Sequence, residues 1–317
     1  MNAVSFPTLR ATRGLGVLTA GLLMFVGFSL TADRFATLQN VLNLAKQMSI
    51  VGVLGVGMTI VVLVGGIDLS VGSIVLLSGA VAGPLLLAGF SALIAIPAAV
   101  LTGMIVGLAN GWLIERLRIS PVIVTLGTMI AVRGLGLVFL ERYRSWIDID
   151  DPVFDALGSR SILGVPATAL VLIVIVGLAS ALLRTTSLGR RFYAVGDNAA
   201  AARLCGIDVP RVRILAYAAS GTLAGVAGVL SMVRSAVVSP SIGIGLEFSA
   251  VTVVVLGGAK LSGGAGSVEE TVVGTAILVM VLNFLTIHGV PGTWQTTVTG
   301  ALILLAVILK RVLGPAA

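Results

Sequence analysis

VVLVGGIDLSVGS, residues Val61–Ser73, interrupts a long apolar run with adjacent glycines, one aspartate and two serines. A related stretch, VVVLGGAKLSGGAGS at Val253–Ser267, repeats the spacing GGxxLSxG from Gly257. A soluble core has no use for an apolar helix broken twice in this way. Within a bilayer, such paired interruptions point to discontinuous helices around a polar path. The predicted helix-break or gating set is Gly65, Gly66, Asp68, Ser70 and Gly72 in the first copy, and Gly257, Gly258, Gly263 and Gly264 in the second. Asp68 carries the most weight, because an ionised carboxylate must find a polar cavity, donor groups or a cation. Ser70 and Ser73 are candidates to cap the following helix or to satisfy neighbouring backbone groups. Direct solute contact by Asp68 and a plain interfacial position stay open beside packing and gating.

Composition agrees with a membrane solvent. Of 317 residues, 57% are hydrophobic and 10% charged, with a mean hydropathy of +1.14. A water-facing domain carries about 25% charge, so lipid must cover much of this chain. The 40 glycines suit close helix–helix approach. Continuous apolar runs, without the alternation of barrel strands, exclude an outer-membrane barrel. The expected fold is therefore all-α: a polytopic membrane protein with about ten spans and discontinuous glycine-rich helices. The single Cys205 excludes an internal disulfide and cannot form a zinc site alone, and His288 reads as structural or interfacial, with a part in gating as the alternative.

The ten candidate spans are about Gly14–Leu30, Ala45–Val64, Val71–Gly89, Ser91–Ile114, Val122–Leu140, Leu163–Leu183, Ile214–Val233, Phe248–Leu261, Val268–Ile287 and Trp294–Leu309. Nine remain if one glycine-rich segment only re-enters. Following a signal-anchor rather than a cleaved leader, ten crossings put both termini on one side. Arg10, Arg13, Arg116, Arg118, Lys260, Lys310 and Arg311 fall there, with the basic run Arg184–Arg213; Asp148, Asp150, Asp151 and Asp155 fall opposite. The positive-inside rule makes the basic side cytoplasmic. Both glycine-rich copies then approach from the same side.

The loop Arg184–Arg213, RTTSLGRRFYAVGDNAAAARLCGIDVPRVR, holds a predicted short helix over Asn198–Leu204. Asp197 or Asn198 can cap it, Gly206 can end it, and Pro210 restricts the chain before the next span. Contact with a cytoplasmic partner and a merely solvated basic loop are both open at this point.

GGIDLSVGS at Gly65–Ser73, TTSLGRRFYAVGDN at Thr185–Asn198, AAxxxGI within Ala201–Ile207 and VVLGGAKLSGGAGS at Val254–Ser267 together resemble the permease subunit of bacterial ribose-type ABC sugar importers. The resemblance runs from about Leu44 to Arg311. It implies a single permease domain over 1–317, with 184–213 as a cytoplasmic coupling loop, in the bacterial inner membrane. Gly196, Asn198, Ala201, Ala202, Gly206 and Ile207 become the expected coupling residues. Two departures stand out: Ala199 where the family commonly has Glu, and Ser249 where Asp is frequent.

The implied partners are a second permease subunit, giving a homodimer, two ATPase domains and an extracytoplasmic sugar-binding protein; no nucleic acid is implied. No GxxxxGK[ST] phosphate loop occurs, so ATP and Mg are expected in the ATPase partner, with no cofactor on this chain. The expected function is ATP-driven import of ribose or a related small sugar, without chemistry on it. An ion-coupled secondary carrier is the alternative, since Asp68 beside a broken helix leaves it physically possible. Glu247 could cap the segment it precedes, meet the binding protein or be solvated. Asn110, Thr125, Thr128, Arg133 and Asn283 are further polar groups near apolar spans, and Trp112, Trp146 and Trp294 read as interfacial aromatics.

Overall fold

The computed structural model describes residues 6–143 and 145–313. The side chains of Arg10, Arg13, Lys310 and Arg311, used above for orientation, lie outside the described part, as do the extreme termini. Helices dominate: α1 (Phe6–Thr31), α2 (Leu38–Leu63), α3 (Val71–Leu87), α4 (Ala92–Leu117), α5 (Pro121–Glu141), α6 (Pro152–Ser159), α7 (Ala167–Thr185), α8 (Ser187–Asp197), α9 (Ala199–Leu204), α10 (Val209–Ser235), α11 (Leu246–Leu256), α12 (Val268–Ile287) and α13 (Gly292–Leu313). Four two-residue strands add two antiparallel pairs, β1 (Ile147–Asp148) with β4 (Val237–Val238) and β2 (Ser161–Ile162) with β3 (Val165–Pro166).

Six helices, α2, α4, α5, α7, α10 and α12, are long and apolar enough to cross a membrane alone. The other four expected spans correspond to α1 and α13, apolar over 16–31 and 292–308, and to the short apolar helices α3 and α11. At 1.5 Å per residue, α3 and α11 reach only about 25 and 16 Å, short of a hydrocarbon core of about 30 Å. Six long apolar helices, with α3 and α11 as half-length pieces among them, are consistent with a multi-span permease fold. The protein is an all-α polytopic membrane protein.

α2 is the most enclosed of the six, and α10 follows it. α4 and α10 pack backbone to backbone. A Cβ on Gly103 would strike the Gly221 carbonyl, and one on Gly107 the Tyr217 carbonyl; Gly111 lies against Ile214. The four-residue spacing of these glycines puts them on one face of α4, so no side chain holds the helices apart. A reciprocal amide pair, Asn40 with Asn283 at 2.9 and 3.0 Å, ties α2 to α12.

Two non-helical limbs define the middle of the molecule. α2 ends at an arginine-rich end that also carries α8 and α9. Residues 64–70 then turn back inward, and α3 runs out to an aspartate-rich end, where Gly83 meets Ile147 and Val238. α10 runs the other way and ends beside that same strand pair. Residues 239–245 turn inward and α11 runs to the arginine-rich end. The N-termini of α3 and α11 therefore meet inside the bundle, Gly72 against Gly243.

Candidate functional site

The first break is built by the backbone. Gly65 takes φ +79°, and the Gly65 and Gly66 amides return to the carbonyls of Val62 and Val61 at 2.9 and 3.0 Å, closing α2 in a left-handed turn. A side chain at Gly66 would collide with the Tyr217 hydroxyl. That hydroxyl and Thr125 Oγ1 both donate to the Ile67 carbonyl at 3.4 Å. Such long bonds fix the limb loosely; Asp68 fixes it tightly.

Asp68 is fully buried. Its Oδ1 accepts from the Ser70 amide (3.1 Å) and the Ser70 hydroxyl (2.6 Å), and its Oδ2 accepts from Ser220 Oγ of α10 (2.8 Å). Ser70 Oγ accepts from Asn110 Nδ2 of α4 at 2.9 Å, and Asn110 Oδ1 accepts from Thr128 Oγ1 of α5 at 2.7 Å. One polar chain thus joins the limb to three helices. Ser70 stands at the N-cap position of α3, yet its hydroxyl turns to Asp68 and makes no capping bond. Ser73 donates to the Met129 carbonyl at 2.7 Å. Neither serine is thus seen capping α3: Ser73 satisfies a backbone carbonyl, the other expected role, and the short Asp68–Ser70 turn draws the Ser70 hydroxyl backwards.

The second limb brings Glu247, in the first turn of α11, into the same region with only 9% exposure. A side chain at Gly72 would collide with its carboxylate. Arg133 of α5 donates from Nη2 to the Pro240 carbonyl at 2.7 Å. This side was invisible as a break in the sequence. Ser239–Gly245, SPSIGIG, lacks the GGxxLSxG pattern, although its alternating glycines were a readable signal. Ser220 and Tyr217 were missed outright, since a lone hydroxyl on an apolar helix carries no mark.

The second visible copy lies elsewhere. Gly257 ends α11 against Glu270 and Thr271, and Gly258, Gly263 and Gly264 (φ +90°, +96° and +75°) shape a turn at the arginine-rich end. Gly263 packs on the Gly65 amide, and the Gly264 amide donates to the Leu63 carbonyl at 3.0 Å. Gly196, at the end of α8, seats into that contact against Leu63 and Gly264. Tyr193 Oη adds a bond to the Gly266 carbonyl at 2.9 Å.

α9 hangs from this junction. Asn198 Oδ1 caps it by accepting from the Ala200 and Ala201 amides, both at 3.0 Å, and Gly206 (φ +79°) ends it. Ala202 and Ile207 pack into a cluster with Phe192, Val195 and Val209, while Ala201 and Leu204 are exposed. Cys205 is exposed at the helix end. Beside it, a cavity of about 770 Å³ runs from Gly65, Gly66 and Tyr217 to Arg118, Arg203 and Arg213. Arg213 pairs with Glu115 at 3.0 Å, and Arg184 takes Glu269 at 2.9 Å. His288 caps α12 and lies on Phe284, ring centroids 4.3 Å apart. Trp112, Trp146 and Trp294 are all more than half exposed. Among the described residues, no group of three or more His, Cys, Asp or Glu could hold a metal ion.

Residues 40–307 match the family described as the branched-chain amino acid transport system permease component. The ribose import permease protein RbsC of Escherichia coli K12 is 36% identical over 262 residues, 82% of each chain. The L-arabinose ABC transporter permease protein AraH of Azospirillum brasilense is 37% identical over 262 residues, 83% of this chain and 77% of its own. RbsC of Bacillus subtilis is 35% identical over 271 residues, 83% and 82%. No solved structure matches. With that coverage, and with broken helices and a basic surface loop joined at one glycine junction, the chain belongs to the family of bacterial ABC-transporter permease components that includes the ribose import permeases, and is a transport subunit rather than an enzyme.

Proposed function

We propose that this chain is the membrane subunit of an ATP-driven importer in the bacterial inner membrane, carrying ribose or a related small neutral sugar. One observation carries the reading: Gly196 meets Leu63 and Gly264 by backbone contact. A displacement of α8 and α9 cannot be absorbed by side chains there, so it passes to the α2–α3 and α11–α12 turns together. Gly196, Asn198, Ala201, Ala202, Gly206 and Ile207 are the coupling segment, with Ala201 and Leu204 offered to the ATPase. Gly65, Gly66, Asp68, Ser70 and Gly72, with Gly257, Gly258, Gly263 and Gly264, form the moving breaks.

In this reading residues 1–317 are one permease domain with both termini cytoplasmic and the arginine-rich end inward. Ten crossings follow when each half-helix is completed by its limb. A second copy of the chain, two ATPase domains holding ATP and Mg, and an extracytoplasmic binding protein complete the importer. The family description names branched-chain amino acids, but relatives covering about four-fifths of the chain are named for ribose and arabinose, which favours a sugar. Asp68 already receives three hydrogen bonds, which weakens the ion-coupled alternative. The test is uptake of a panel of labelled sugars and amino acids by the reconstituted complex, with and without ATP. Amino-acid uptake without sugar uptake rejects the substrate; transport by this chain alone under an ion gradient rejects ATP coupling.

A further inference from the structure

Two helix N-termini facing each other inside a membrane protein repel, since each carries roughly half a positive charge. α3 and α11 make this arrangement at Gly72 and Gly243, where a Cβ on either glycine would strike the other's carbonyl oxygen. Neither end has a side-chain cap: Ser70 gives its hydroxyl to Asp68, and Gly245 has none to give. Asp68 does not serve both ends, because Ser70 and Ser220 occupy its two oxygens. Glu247 lies where a counter-charge is needed. Its carboxylate rests on Gly72 at the start of α3, and Glu247 itself stands in the first turn of α11, with Arg133 the nearby cation. An ionisable group at this depth is costly without a task. Arg133 also holds the limb before α11 through the Pro240 carbonyl.

We infer that Glu247 is the electrostatic pin of the paired half-helices: its carboxylate neutralises both N-termini and, with Arg133 holding the 239–245 limb, keeps α3 and α11 together until the path opens. Glu247 is a positioning residue, and only its meaning for solute passage rests on the permease reading.

The test uses the whole chain in sealed membrane vesicles with Cys205→Ser and Val75→Cys, a buried α3 position that faces Gly243 of the second limb. The rate at which a small charged thiol reagent modifies position 75 reports how often the half-helices part. Glu247→Gln, which keeps the shape and removes the charge, raises that rate by roughly tenfold, the scale of one or two lost helix-terminus interactions. Glu247→Asp stays within about threefold of the parent, because the charge remains at the helix ends. An unchanged rate in Glu247→Gln overturns the pin, and so does an equal rise in both variants, which would make shape the cause. If Glu247→Gln does not insert, Arg133→Gln decides in its place, with Arg133→Lys as the charge-preserving control: the same rise only in Arg133→Gln supports the pin, and no rise overturns it. The rate needs neither sugar nor ATPase, so its failure leaves the importer reading standing, and failure of sugar uptake leaves the rate interpretable.

Discussion

Gly196→Ala puts a methyl group into a contact made wholly of backbone. Its Cβ would press on the Leu63 carbonyl group and on the Gly264 amide nitrogen. Ordinary Cβ contacts begin near 3.4 Å, so α8 or the end of α2 must retreat by ~1–2 Å, an overpacking worth about 1–3 kcal/mol. Alanine returns up to ~1 kcal/mol of helix propensity in α8. With that offset in full the net is up to about 2 kcal/mol against docking, a shift of up to roughly 30-fold towards undocked α8–α9. In the reconstituted complex, sugar uptake should fall further than ATP hydrolysis, because the ATPase still cycles while its motion is transmitted less well. The unfolding midpoint of the solubilised chain should fall as well. Gly177→Ala is the control: the glycine sits within α7, and a Cβ there meets nothing within 4 Å, so it should be neutral or slightly stabilising. Uptake within twofold of wild type in Gly196→Ala, with an unchanged midpoint, would refute transmission through this contact.

The Asp68 network predicts an order among variants: Asp68→Ala lowers the unfolding midpoint more than Asp68→Asn, which keeps one of the two acceptor oxygens shared by Ser70 and Ser220. Ser220→Ala costs about 1.5–3 kcal/mol, the range for a hydrogen bond to a charged group, and equal midpoints for all three would show that the network does not hold the limb. Gly107→Ala forces α4 from α10 and should cost about 1–3 kcal/mol, whereas Gly127→Ala, with open space around it, should cost nothing measurable. Breaking the part-buried Glu115–Arg213 pair by Glu115→Gln should destabilise more than Arg184→Gln, whose pair is exposed and worth at most about 1 kcal/mol. Finally, the native Cys205, exposed at the end of α9, should react with an impermeant thiol reagent in inside-out but not right-side-out vesicles; the opposite pattern reverses the proposed orientation.

Elements that announce themselves by local chemistry were legible. The Asn198 cap, the alanine run and the Gly206 stop marked α9 because each acts within one turn. The break at Gly65–Gly72 stood out because glycine and aspartate are conspicuous among aliphatics. Boundaries were less legible: α2 starts at Leu38 rather than near Ala45 because Asn40 and Lys46 spend their polarity on Asn283 and the Gly158 carbonyl. α8 lies in a stretch that reads as loop, since its arginines mask the apolar face of Phe192 and Val195 that packs on the bundle. α6 was also unmarked, although Asp151 before Pro152 is a readable helix start.

The GGxxLSxG repeat at Gly65 and Gly257 joins elements rather than mirroring them. Gly65 and Gly263 share a glycine pattern because their turns pack against each other, and only backbone without side chains allows that approach. The mirrored partner of the first break is the limb at 239–245, which shares its geometry and almost none of its letters. One limb enters from the arginine-rich end and the other from the aspartate-rich end, so α3 and α11 start in the interior and leave in opposite directions, as inverted transporter repeats do. That geometry forces two positive helix ends together, and it explains why the two buried carboxylates, Asp68 and Glu247, both stand within a few residues of a half-helix start. Asp68 ties its limb to α10 through Ser220; Glu247 lies between the helix ends themselves. Similar letters therefore mark similar packing, while the charged residues mark the matching geometry.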